Sequence, residues 1–301
     1  MFAFLFDNYG YYPVNIVNES FVYKNWFFKL ERVDDNEEKI KSIASFSVEI
    51  AKKLDGKSGY IIKNKNGKYI SHYNGIAYVL ISIPNVVIDL VDYYKLHEFF
   101  SGIDNREYSL KKVLSLQEEK YEFISNVVVS SIRKDHSNYK EFLQLIFYSF
   151  GLAENSFQYL ADIIEDSNDK LERLTISHKK KCSFDTYSFL NPLNMIIDNP
   201  VRDLAFLFKS EEFSISEIEN ILDYYQINAK EASYLMSRIL YPDFLFEELI
   251  EFYDNKKDIF NFLFEQKQKI SFNYTKLNTI YKLLQTKYSI RPIKWLEKTI
   301  L

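Results

Sequence analysis

Residues 19–54 read ESFVYKNWFFKLERVDDNEEKIKSIASFSVEIAKKL, and the change of pattern halfway along this stretch decides the fold. The first half is rich in β-branched and aromatic residues on both sides of Lys24-Asn25. Two such runs around a short polar turn are typical of a β-hairpin. We therefore expect residues 14–33 to be extended and to form a hairpin.

The second half of the stretch has the period of a helix. Apolar residues recur there at spacings of three and four, at Ile40, Ile43, Phe46, Ile50 and Leu54. This spacing places them on one face of a helix. Asp35 or Asn36 can cap the start and Gly56 can end it, so the pattern predicts a helix over 36–54.

Three short strand-like runs follow, GYIIKNK, KYISHY and AYVLISI. The turns between them fall at Asn66-Gly67 and Asn74-Gly75. Asn-Gly is the strongest short hairpin signal, because both central turn residues need positive φ. Residues 1–85 are therefore predicted to form a small antiparallel sheet with one inserted helix.

From about residue 86 the apolar period is that of helices. Helices are predicted at 86–101, 108–134, 137–166, 200–210, 214–226, 229–239, 243–264 and 274–286. An extended patch with Pro192 interrupts them around 174–197, and Asn199 before Pro200 suits a helix N-terminus. The fold class is therefore α+β: a bilobal protein-kinase-like fold with a small sheet lobe and a larger, mainly helical lobe over 86–301.

The composition excludes several classes of function. Lys and Arg total 38 against 42 Asp and Glu, a net charge of −4 that argues against a nucleic-acid partner. The single cysteine, Cys182, excludes an internal disulfide, and only seven glycines argue against a Gly-rich phosphate loop. No segment has the pattern of a signal peptide or the length of a membrane span. We expect a cytoplasmic globular protein without a membrane span.

The order of sheet, helix and helical bundle is that of protein kinases and small-molecule phosphotransferases, and it predicts where catalytic parts would lie. Phosphoryl transfer needs a strand Lys for the phosphates, a helix Glu that holds this Lys, a loop Asp and Mg²⁺ ligands. Lys29 on the second strand and Glu49 in the helix are the candidates for the pair that binds ATP. The alternative interpretation is that both side chains are simply solvated.

The catalytic loop is expected in LTISHKKKC, residues 174–182. Lys179 and Lys180 follow His178, so no carboxylate stands where a hydroxyl proton must be accepted. Asp185 lies seven residues after His178, outside the expected spacing. The loop is therefore predicted to be degenerate at His178 and Lys180, and His178 is expected to be a buried histidine that braces it.

The metal-ligand position is expected in NPLNMIIDNPVRDLAFLFK, residues 191–209. Asn194 occupies this position, and an amide oxygen carries no formal charge to attract Mg²⁺. Asp198 is assigned to the start of the next helix. Asp203, in the first turn of that helix, is expected to tie the helix to the loop.

Five segments, taken together, resemble those of one protein family. FGLAENSFQYLADIIEDS is similar to its long-helix signature, and LTISHKKKC takes the place of a T-I-C-H segment. PLNMIIDNPVRDLAFLFK resembles its P-F-D-W-V-x-D-H-P-x-R-D-L-A stretch, and YLMSRILYPDFLFEELIEFY and IRPIKWLEK also follow its pattern. The family is the YutH family of spore coat kinase-like proteins, and the resemblance implies an aminoglycoside-phosphotransferase-like fold over most of the chain.

The departures from this family pattern concern the chemistry. The family's Asp in F-D-W falls on Asn194, its Trp on Met195, and its Cys before the His on Ser177. The retained residues, interpreted as structural, are Pro200, Arg202, Asp203 and Leu204. The resemblance therefore implies a member that has moved further from a complete kinase loop.

Three functions remain open at this point. The leading hypothesis is a degenerate kinase-like protein of the mother cell and spore coat, which binds other coat or morphogenetic proteins during coat assembly or germination. The alternative is an active small-molecule or protein kinase that uses Lys29, Glu49 and an unconventional carboxylate such as Asp185 or Asp198. The third is a pseudoenzyme that senses ATP. The sequence itself assigns no cofactor, and ATP, with or without Mg²⁺, is what the last two hypotheses imply.

Overall fold

The structure is a computed structural model that describes residues 1–98, 108–132, 135–167, 169–180, 182–255 and 259–297. The chain divides into two compact units. The first comprises Met1–Ile103 and Thr175–Asp198, and the second comprises Asp104–Leu174 and Asn199–Leu301. The two lobes expected from the sequence, residues 1–85 and 86–301, are divided at another point of the chain. That division stays a prediction.

The first unit contains an antiparallel sheet. Its strands are β1 (Ser20–Tyr23), β2 (Trp26–Arg32), β3 (Tyr60–Ile62), β4 (Ile70–Tyr73) and β5 (Ile76–Pro84). The strand order is β1-β2-β5-β3, and β4 also pairs with β5. β2 follows one edge of β5 from the pair Trp26 and Pro84 to the pair Arg32 and Tyr78. The small antiparallel sheet predicted from the sequence is therefore confirmed.

Two tight turns form hairpins as the sequence predicts. Lys24 and Asn25 have φ of 46° and 63° between β1 and β2, and Asn74 and Gly75 have φ of 51° and 78° between β4 and β5. Positive φ at both central residues matches the right-handed twist of the paired strands.

The prediction of a third hairpin at Asn66-Gly67 is wrong. A turn forms there, but β3 and β4 both pair with β5, which is long enough to accept them one after the other along its second edge. The Asn64 side chain organises the connection: its Oδ1 accepts the N–H groups of Asn66 and Lys68 at 3.0 and 3.1 Å. Local turn propensity is satisfied without strand pairing across the turn.

The inserted helix is confirmed as α2 (Glu37–Lys53). Asn36 caps it, since its side chain accepts the Lys39 N–H at 3.0 Å. The buried side of α2 carries Ile40 and Ile50, and Leu54 is buried directly after its end. The unit also contains α1 (Phe2–Tyr9) and α3 (Leu90–Leu96), so the part of the predicted helix 86–101 that is described is shorter than expected.

The stretch around 174–197 contributes a small second sheet to the first unit. β6 (Thr175–His178) pairs antiparallel with β7 (Met195–Asp198). Between them lie α7 (Thr186–Leu190) and a 3₁₀ turn, Pro192–Asn194. The sequence predicts the extended character of this stretch but not α7.

The second unit is helical. Its helices are α4 (Leu110–Phe123), α5 (Val129–Ser131), α6 (Tyr139–Ser167), α8 (Val201–Ser210), α9 (Ile215–Tyr225), α10 (Ala229–Leu240), α11 (Asp243–Asn255), α12 (Ile259–Tyr288) and α13 (Lys294–Glu297). A π-helical turn, Ile124–Val128, joins α4 to α5 within the predicted helix 108–134, whose residues 133–134 lie outside the described ones. The helices predicted at 137–166, 200–210, 214–226 and 229–239 are confirmed within two residues at each end.

The helices predicted at 243–264 and 274–286 have different bounds. The first stretch belongs to two helices, α11 and α12, and the second lies inside α12, while residues 256–258 lie outside the described ones. Apolar residues of both helices are buried in one cluster, which includes Phe252 and Phe262 with ring centroids 5.0 Å apart. An uninterrupted apolar period does not reveal where one helix ends and the next begins. None of the described helices has the combined length and apolar character that crossing a bilayer requires.

Candidate functional site

The residues predicted to carry kinase chemistry in the sheet and the loop all belong to the first unit. β2 carries Lys29, α2 carries Glu49, and the segment 175–198 carries the predicted catalytic loop and the predicted metal-ligand position.

Lys29 lies in the middle of β2, where it faces Ile81 of β5 in the register of the sheet. Its Nζ is 2.7 Å from Oε1 of Glu31, and its side chain is 32% exposed. Residues two apart on a strand point to the same face, so the strand itself brings these charges together. The Nζ also lies 4.9 Å from the centroid of the Tyr187 ring, within the range of a cation–π contact.

Tyr187 of α7 completes this group. Its hydroxyl donates a hydrogen bond to Oε1 of Glu31, and its ring meets Phe27 edge-on at a centroid distance of 5.4 Å. Burial raises the pKa of Tyr187, and the hydrogen bond to Glu31 raises the pKa further. The hydroxyl therefore stays protonated and remains a donor. We call Lys29, Glu31 and Tyr187 the clasp.

Contacts at both ends of α7 hold Tyr187 in the clasp. Thr186 Oγ1 donates to the Val86 carbonyl at 2.7 Å at the start of the helix. At its end, the Leu190 carbonyl lies so close to Gly59 that a Cβ on residue 59 would be 2.2 Å from that oxygen. Asp185 caps the helix by accepting the Ser188 N–H at 2.7 Å. This carboxylate therefore already has a structural role in the helix.

The predicted pairing of Lys29 with Glu49 is wrong. Glu49 pairs with Lys52 on α2 at 2.8 Å, an exposed contact between residues three apart on a helix. Lys29 has Glu31 as its carboxylate partner instead, because the strand places Glu31 next to it without any long-range contact. The proposed nucleotide contacts of Lys29 and Glu49 stay predictions.

His178 is buried at the end of β6. Its Nε2 lies 3.0 Å from the Phe189 carbonyl, an acceptor, so we assign the proton to Nε2. The ring also contacts Phe189 with centroids 5.0 Å apart. His178 thus connects β6 to α7, which is the geometry of a histidine that braces the loop.

Asn194 closes the same loop from its other end. Its Oδ1 accepts the Lys180 N–H at 2.9 Å, and its Nδ2 donates to the Ser188 carbonyl at 2.9 Å. The residue is 9% exposed. Both ends of the amide are therefore used to hold the loop, and an Asp in this position could not donate to Ser188. The Lys180 backbone is part of this closure, while the residue as a whole is exposed.

Three carboxylates of the first unit that could bind Mg²⁺ already have other contacts or lie buried. Asp185 caps α7, Glu31 is engaged in the clasp, and Asp198 is 1% exposed at the end of β7. Mg²⁺ in phosphate sites is held through one or two carboxylates together with phosphate oxygens. Within the part of the chain that the structure describes, no three His, Cys, Asp or Glu side chains converge as a metal site.

The retained residues around Pro200 lie at the start of α8 in the second unit. Asn199 lies just before the helix, whose N-cap residue is Pro200 rather than the predicted Asn199, and the Asn199 Oδ1 accepts the Val201 N–H at 3.1 Å. The Arg202 guanidinium lies 5.9 Å from the centroid of the Phe206 ring, and Asp203 is buried in the first turn of α8. These positions are compatible with the structural role expected for Pro200, Arg202 and Asp203, which stays a prediction.

An ionic group beside Asn199, formed by the buried Glu231 and the exposed Arg173, is not predicted from the sequence. Arg173 binds Glu231 through two hydrogen bonds of 2.8 and 2.6 Å, and Glu231 also accepts the Asn199 amide at 2.8 Å. The Asn228–Glu231 capping box at the start of α10 gave a local signal for Glu231. Its pairing with Arg173, 58 residues away, had no local signal.

Comparisons with solved structures show which fold the chain has. The chain is similar to the crystal structure of an aminoglycoside phosphotransferase from Alicyclobacillus acidocaldarius, with a TM-score of 0.58, 10% identity, and coverage of 89% of this chain and 91% of that one. It is also similar to a spectinomycin phosphotransferase in complex with ADP and spectinomycin, with a TM-score of 0.55, 9% identity, and coverage of 93% and 96%. At these identities the likeness shows the fold, which is the kinase-like fold predicted from the sequence.

The comparison of sequences gives the family. No curated protein matches the chain. Residues 4–280 match the family described as "Spore coat putative kinase YutH". The match covers nearly the whole chain and agrees with the resemblance seen in the sequence. The chain therefore belongs to the YutH family of spore coat kinase-like proteins.

Proposed function

We propose that this protein acts in the spore coat by binding other coat or morphogenetic proteins, without transferring phosphate. Its kinase-like fold then serves as a scaffold for coat assembly or germination. The family and the fold are compatible with an enzyme as well as with a scaffold, so the proposal depends on the geometry of the first unit.

The clasp is the observation that carries the proposal. In a kinase, the strand lysine contacts the nucleotide phosphates and is held by a helix glutamate. Here the Lys29 ammonium is neutralised by a carboxylate on its own strand and lies against the Tyr187 ring. The helix glutamate expected to hold this lysine, Glu49, pairs with Lys52 instead, so the lysine–glutamate pair of a kinase is not formed here. The amide of Asn194, fully used within the loop, adds to this argument.

A nucleotide sensor is the second candidate function. Lys29 favours it, because a lysine is retained on the sheet and its side chain is still 32% exposed. Such a protein would bind ATP weakly without Mg²⁺ and would transfer no phosphate.

Thermal unfolding in the presence of ATP, with and without Mg²⁺, tests whether the protein binds nucleotide, as the sensor and the enzyme require and the scaffold does not. A ligand at a hundred times its Kd stabilises a protein by about 2.7 kcal/mol, which is readily seen as a higher Tm. We expect no rise in Tm under either condition. A rise that does not need Mg²⁺ would support the sensor.

The enzymatic alternative has its own signature. It requires a rise in Tm that depends on Mg²⁺, together with transfer of labelled phosphate from ATP, and both effects must be lost in Lys29→Ala. Lys24→Ala is the matched control, because Lys24 is exposed in the neighbouring turn and its Nζ lies 5.4 Å from the centroid of the Tyr23 ring, outside the clasp. That pattern of results would contradict our proposal.

A further inference from the structure

Helix α1 presents two phenylalanines to solvent. Phe2 and Phe6 are 40% and 51% exposed, and their spacing of four residues places them on one side of the helix. Phe4 and Leu5, on its other side, are buried in the apolar cluster that α1 shares with the sheet. Exposed apolar side chains that lie together on a surface are typical of an interaction site.

A third aromatic ring joins this pair. Gly10 ends α1 with φ of 77°, a left-handed conformation that reverses the direction of the chain. Tyr12, which is 74% exposed, has its ring centroid 5.9 Å from that of Phe2 and 6.4 Å from that of Phe6. The three rings therefore form one aromatic patch rather than three separate exposed side chains.

A basic segment borders this patch. The Lys65 Nζ lies 4.8 Å from the centroid of the Phe6 ring and donates to the Phe6 carbonyl at 2.6 Å. The Lys65 N–H also donates to the Asn8 carbonyl, at 2.8 Å. These contacts hold the segment KNKNGK, residues 63–68, beside α1, and all three of its lysines are exposed.

The positive charge of this segment exceeds the negative charge around it. The Lys63 Nζ lies 5.1 Å from the centroid of the Tyr69 ring, and neither Lys63 nor Lys68 forms an ion pair with any residue that the structure describes. Of the acids nearby, Asp7 is exposed on α1, and the Glu37 carboxylate accepts the Tyr69 N–H at 2.7 Å. The local charge is therefore positive, although the whole chain carries −4. We call Phe2, Phe6, Tyr12, Lys63, Lys65 and Lys68 the aromatic–basic face.

We propose that the aromatic–basic face binds the surface of an anionic lipid bilayer. Aromatic rings enter the boundary between lipid headgroups and acyl chains, where tyrosine also keeps its hydroxyl in water. Lysines beside them extend their ammonium groups to the anionic headgroups and add electrostatic attraction. Binding of this kind is independent of the proposed scaffold and of whether the protein binds nucleotide.

The exposure of the three rings favours a bilayer over an acidic peptide as the partner. Peptides commonly bind along a sheet edge or in a groove that encloses their side chains. Phe2, Phe6 and Tyr12 instead lie at and beside the outer side of a helix, and each is at least 40% exposed. Exposed rings next to flexible lysines match a soft surface that yields to them, as the headgroup region of a bilayer does.

Sedimentation with lipid vesicles tests the proposal. Vesicles of phosphatidylglycerol and phosphatidylcholine in equal amounts give an anionic surface, and vesicles of phosphatidylcholine alone give a neutral one. At low ionic strength we expect the protein to bind the anionic vesicles more than about tenfold more tightly than the neutral ones. Since the whole chain carries −4, its net charge would oppose this preference, and only a locally basic surface can produce it.

Salt provides a second condition for the same vesicles. The preference for the anionic vesicles should disappear at high salt, because the screening length falls from about 30 Å at 0.01 M to about 3 Å at 1 M. Wild-type protein that does not bind the anionic vesicles at low salt, or that binds both kinds of vesicle equally, would overturn the proposal.

Labelling of the wild-type protein with an amine-reactive reagent locates the surface that binds, without any substitution. Lys63, Lys65 and Lys68 should react more slowly when anionic vesicles are present, as measured by peptide mass spectrometry. Lys170 and Lys282, which are exposed outside the face, should react at an unchanged rate. Protection of all exposed lysines alike, or of lysines outside the face alone, would overturn the proposal.

Charge reversal tests the basic part of the face. Lys63→Glu with Lys68→Glu should weaken binding to the anionic vesicles by more than about tenfold. Lys170→Glu with Lys282→Glu is the matched control, because it makes the same change of net charge at exposed sites outside the face. Equal loss of binding in both variants, with both folded by circular dichroism and Tm, would overturn the proposal.

The aromatic part of the face needs its own test. Phe6→Ser should also weaken binding to the anionic vesicles, because it removes a ring that enters the bilayer. Phe147→Ser is the matched control, since Phe147 is a helical phenylalanine in the second unit and is 65% exposed. Binding that Phe6→Ser leaves unchanged would overturn the proposal, because attraction by charge alone does not need the ring. Binding of the wild type to poly-glutamate but not to the anionic vesicles would also overturn it and assign the face to an acidic protein.

Discussion

Asn194 uses both ends of its amide, and this use distinguishes it from an aspartate in the same position. Its Nδ2 donates to the Ser188 carbonyl while its Oδ1 accepts the Lys180 N–H. In Asn194→Asp the donor is replaced by a carboxylate oxygen that faces the Ser188 carbonyl. We expect a loss of unfolding free energy of about 1 to 3 kcal/mol, measured by urea denaturation, because a buried acceptor is left unpaired.

Asn191→Asp is the matched control for this prediction. The Asn191 side chain accepts the Leu193 N–H at 3.0 Å, a bond that an aspartate can also accept, so the free energy of unfolding should change little. A different outcome is expected if residue 194 faces a functional metal site: Mg²⁺ with ATP would then raise the Tm of Asn194→Asp above that of the wild type. Such a rise would contradict the structural role assigned to Asn194.

We expect Tyr187 to limit the access of reagents to Lys29, since its ring lies 4.9 Å from the Lys29 Nζ. Tyr187→Phe removes the hydrogen bond to Glu31 and keeps the ring. We expect the free energy of unfolding to fall by about 1.5 kcal/mol, which is the lower end of the range for a hydrogen bond to a charged group, because Glu31 is partly exposed. The loosened clasp should also let an amine-reactive reagent label Lys29 faster, as measured by peptide mass spectrometry. Tyr12→Phe, at an exposed ring outside the clasp, should leave the labelling rate of Lys29 unchanged. Equal rates in all three proteins would show that the clasp does not shield Lys29.

At the scale of elements, Gly59 sets how closely α7 approaches the sheet. A Cβ at this position would lie 2.2 Å from the Leu190 carbonyl oxygen and 2.5 Å from Ile83 Cδ1. Since backbone cannot yield as a flexible side chain does, Gly59→Ala should destabilise the protein by about 1 to 3 kcal/mol, the usual cost of forcing extra atoms into a packed site. Urea denaturation measures this loss.

Gly151→Ala is the control for Gly59→Ala, with the opposite expected sign. Gly151 lies inside α6, and a Cβ there would meet no atom within 4 Å. The substitution should therefore stabilise the protein by about 0.4 to 1 kcal/mol, because alanine restricts the unfolded chain and favours the helix. Destabilisation of similar size by both substitutions would contradict the close approach of α7 at Gly59.

The elements that the sequence predicts well are those fixed by local signals. Positive φ at Lys24-Asn25 and the Asn36 cap of α2 need only neighbouring residues. The pairing of β3 and β4 with β5 was not predicted, because a strand chooses its partner through the whole sheet and not through its turn. α7 was missed for a related reason: it is five residues long, and its ends are held by distant carbonyl and glycine contacts.

At the scale of the whole molecule, the fold was more predictable than the chemistry of the site. The order of sheet and helices, visible as a change of period near residue 86, is a property of long segments and predicts a kinase-like fold. The carboxylate partner of Lys29 is set by a single side chain, that of Glu31, two residues further along the same strand. The sequence pattern predicted Glu49 of the helix as the partner instead. Tyr187 could not be found at all without the packing of α7, so the clasp is known only from the structure.

We expect partly or fully buried tyrosines to make the stability of the whole molecule sensitive to alkaline pH. Burial raises the pKa of Tyr148 to about 12, and it also raises the pKa of Tyr159, Tyr187 and Tyr241. In the unfolded chain these groups titrate near 10. A group whose pKa is higher in the folded state stabilises the fold fully below its unfolded pKa and loses this contribution as the pH rises through the folded value. We therefore expect unfolding free energy to fall from about pH 10 upward.

Ultraviolet absorbance of tyrosinate and far-ultraviolet circular dichroism, followed together against pH, test this expectation. The last part of the tyrosinate signal should appear in the same narrow range of pH as the loss of helical signal, because these hydroxyls ionise only when the chain opens. Tyr148→Phe, which removes one such group from the second unit, should shift the unfolding midpoint to higher pH in urea, provided that the packing of the ring is kept. Ionisation of all 24 tyrosines while the helical signal remains intact would contradict the burial of these side chains, since solvent would then reach every hydroxyl of the folded protein.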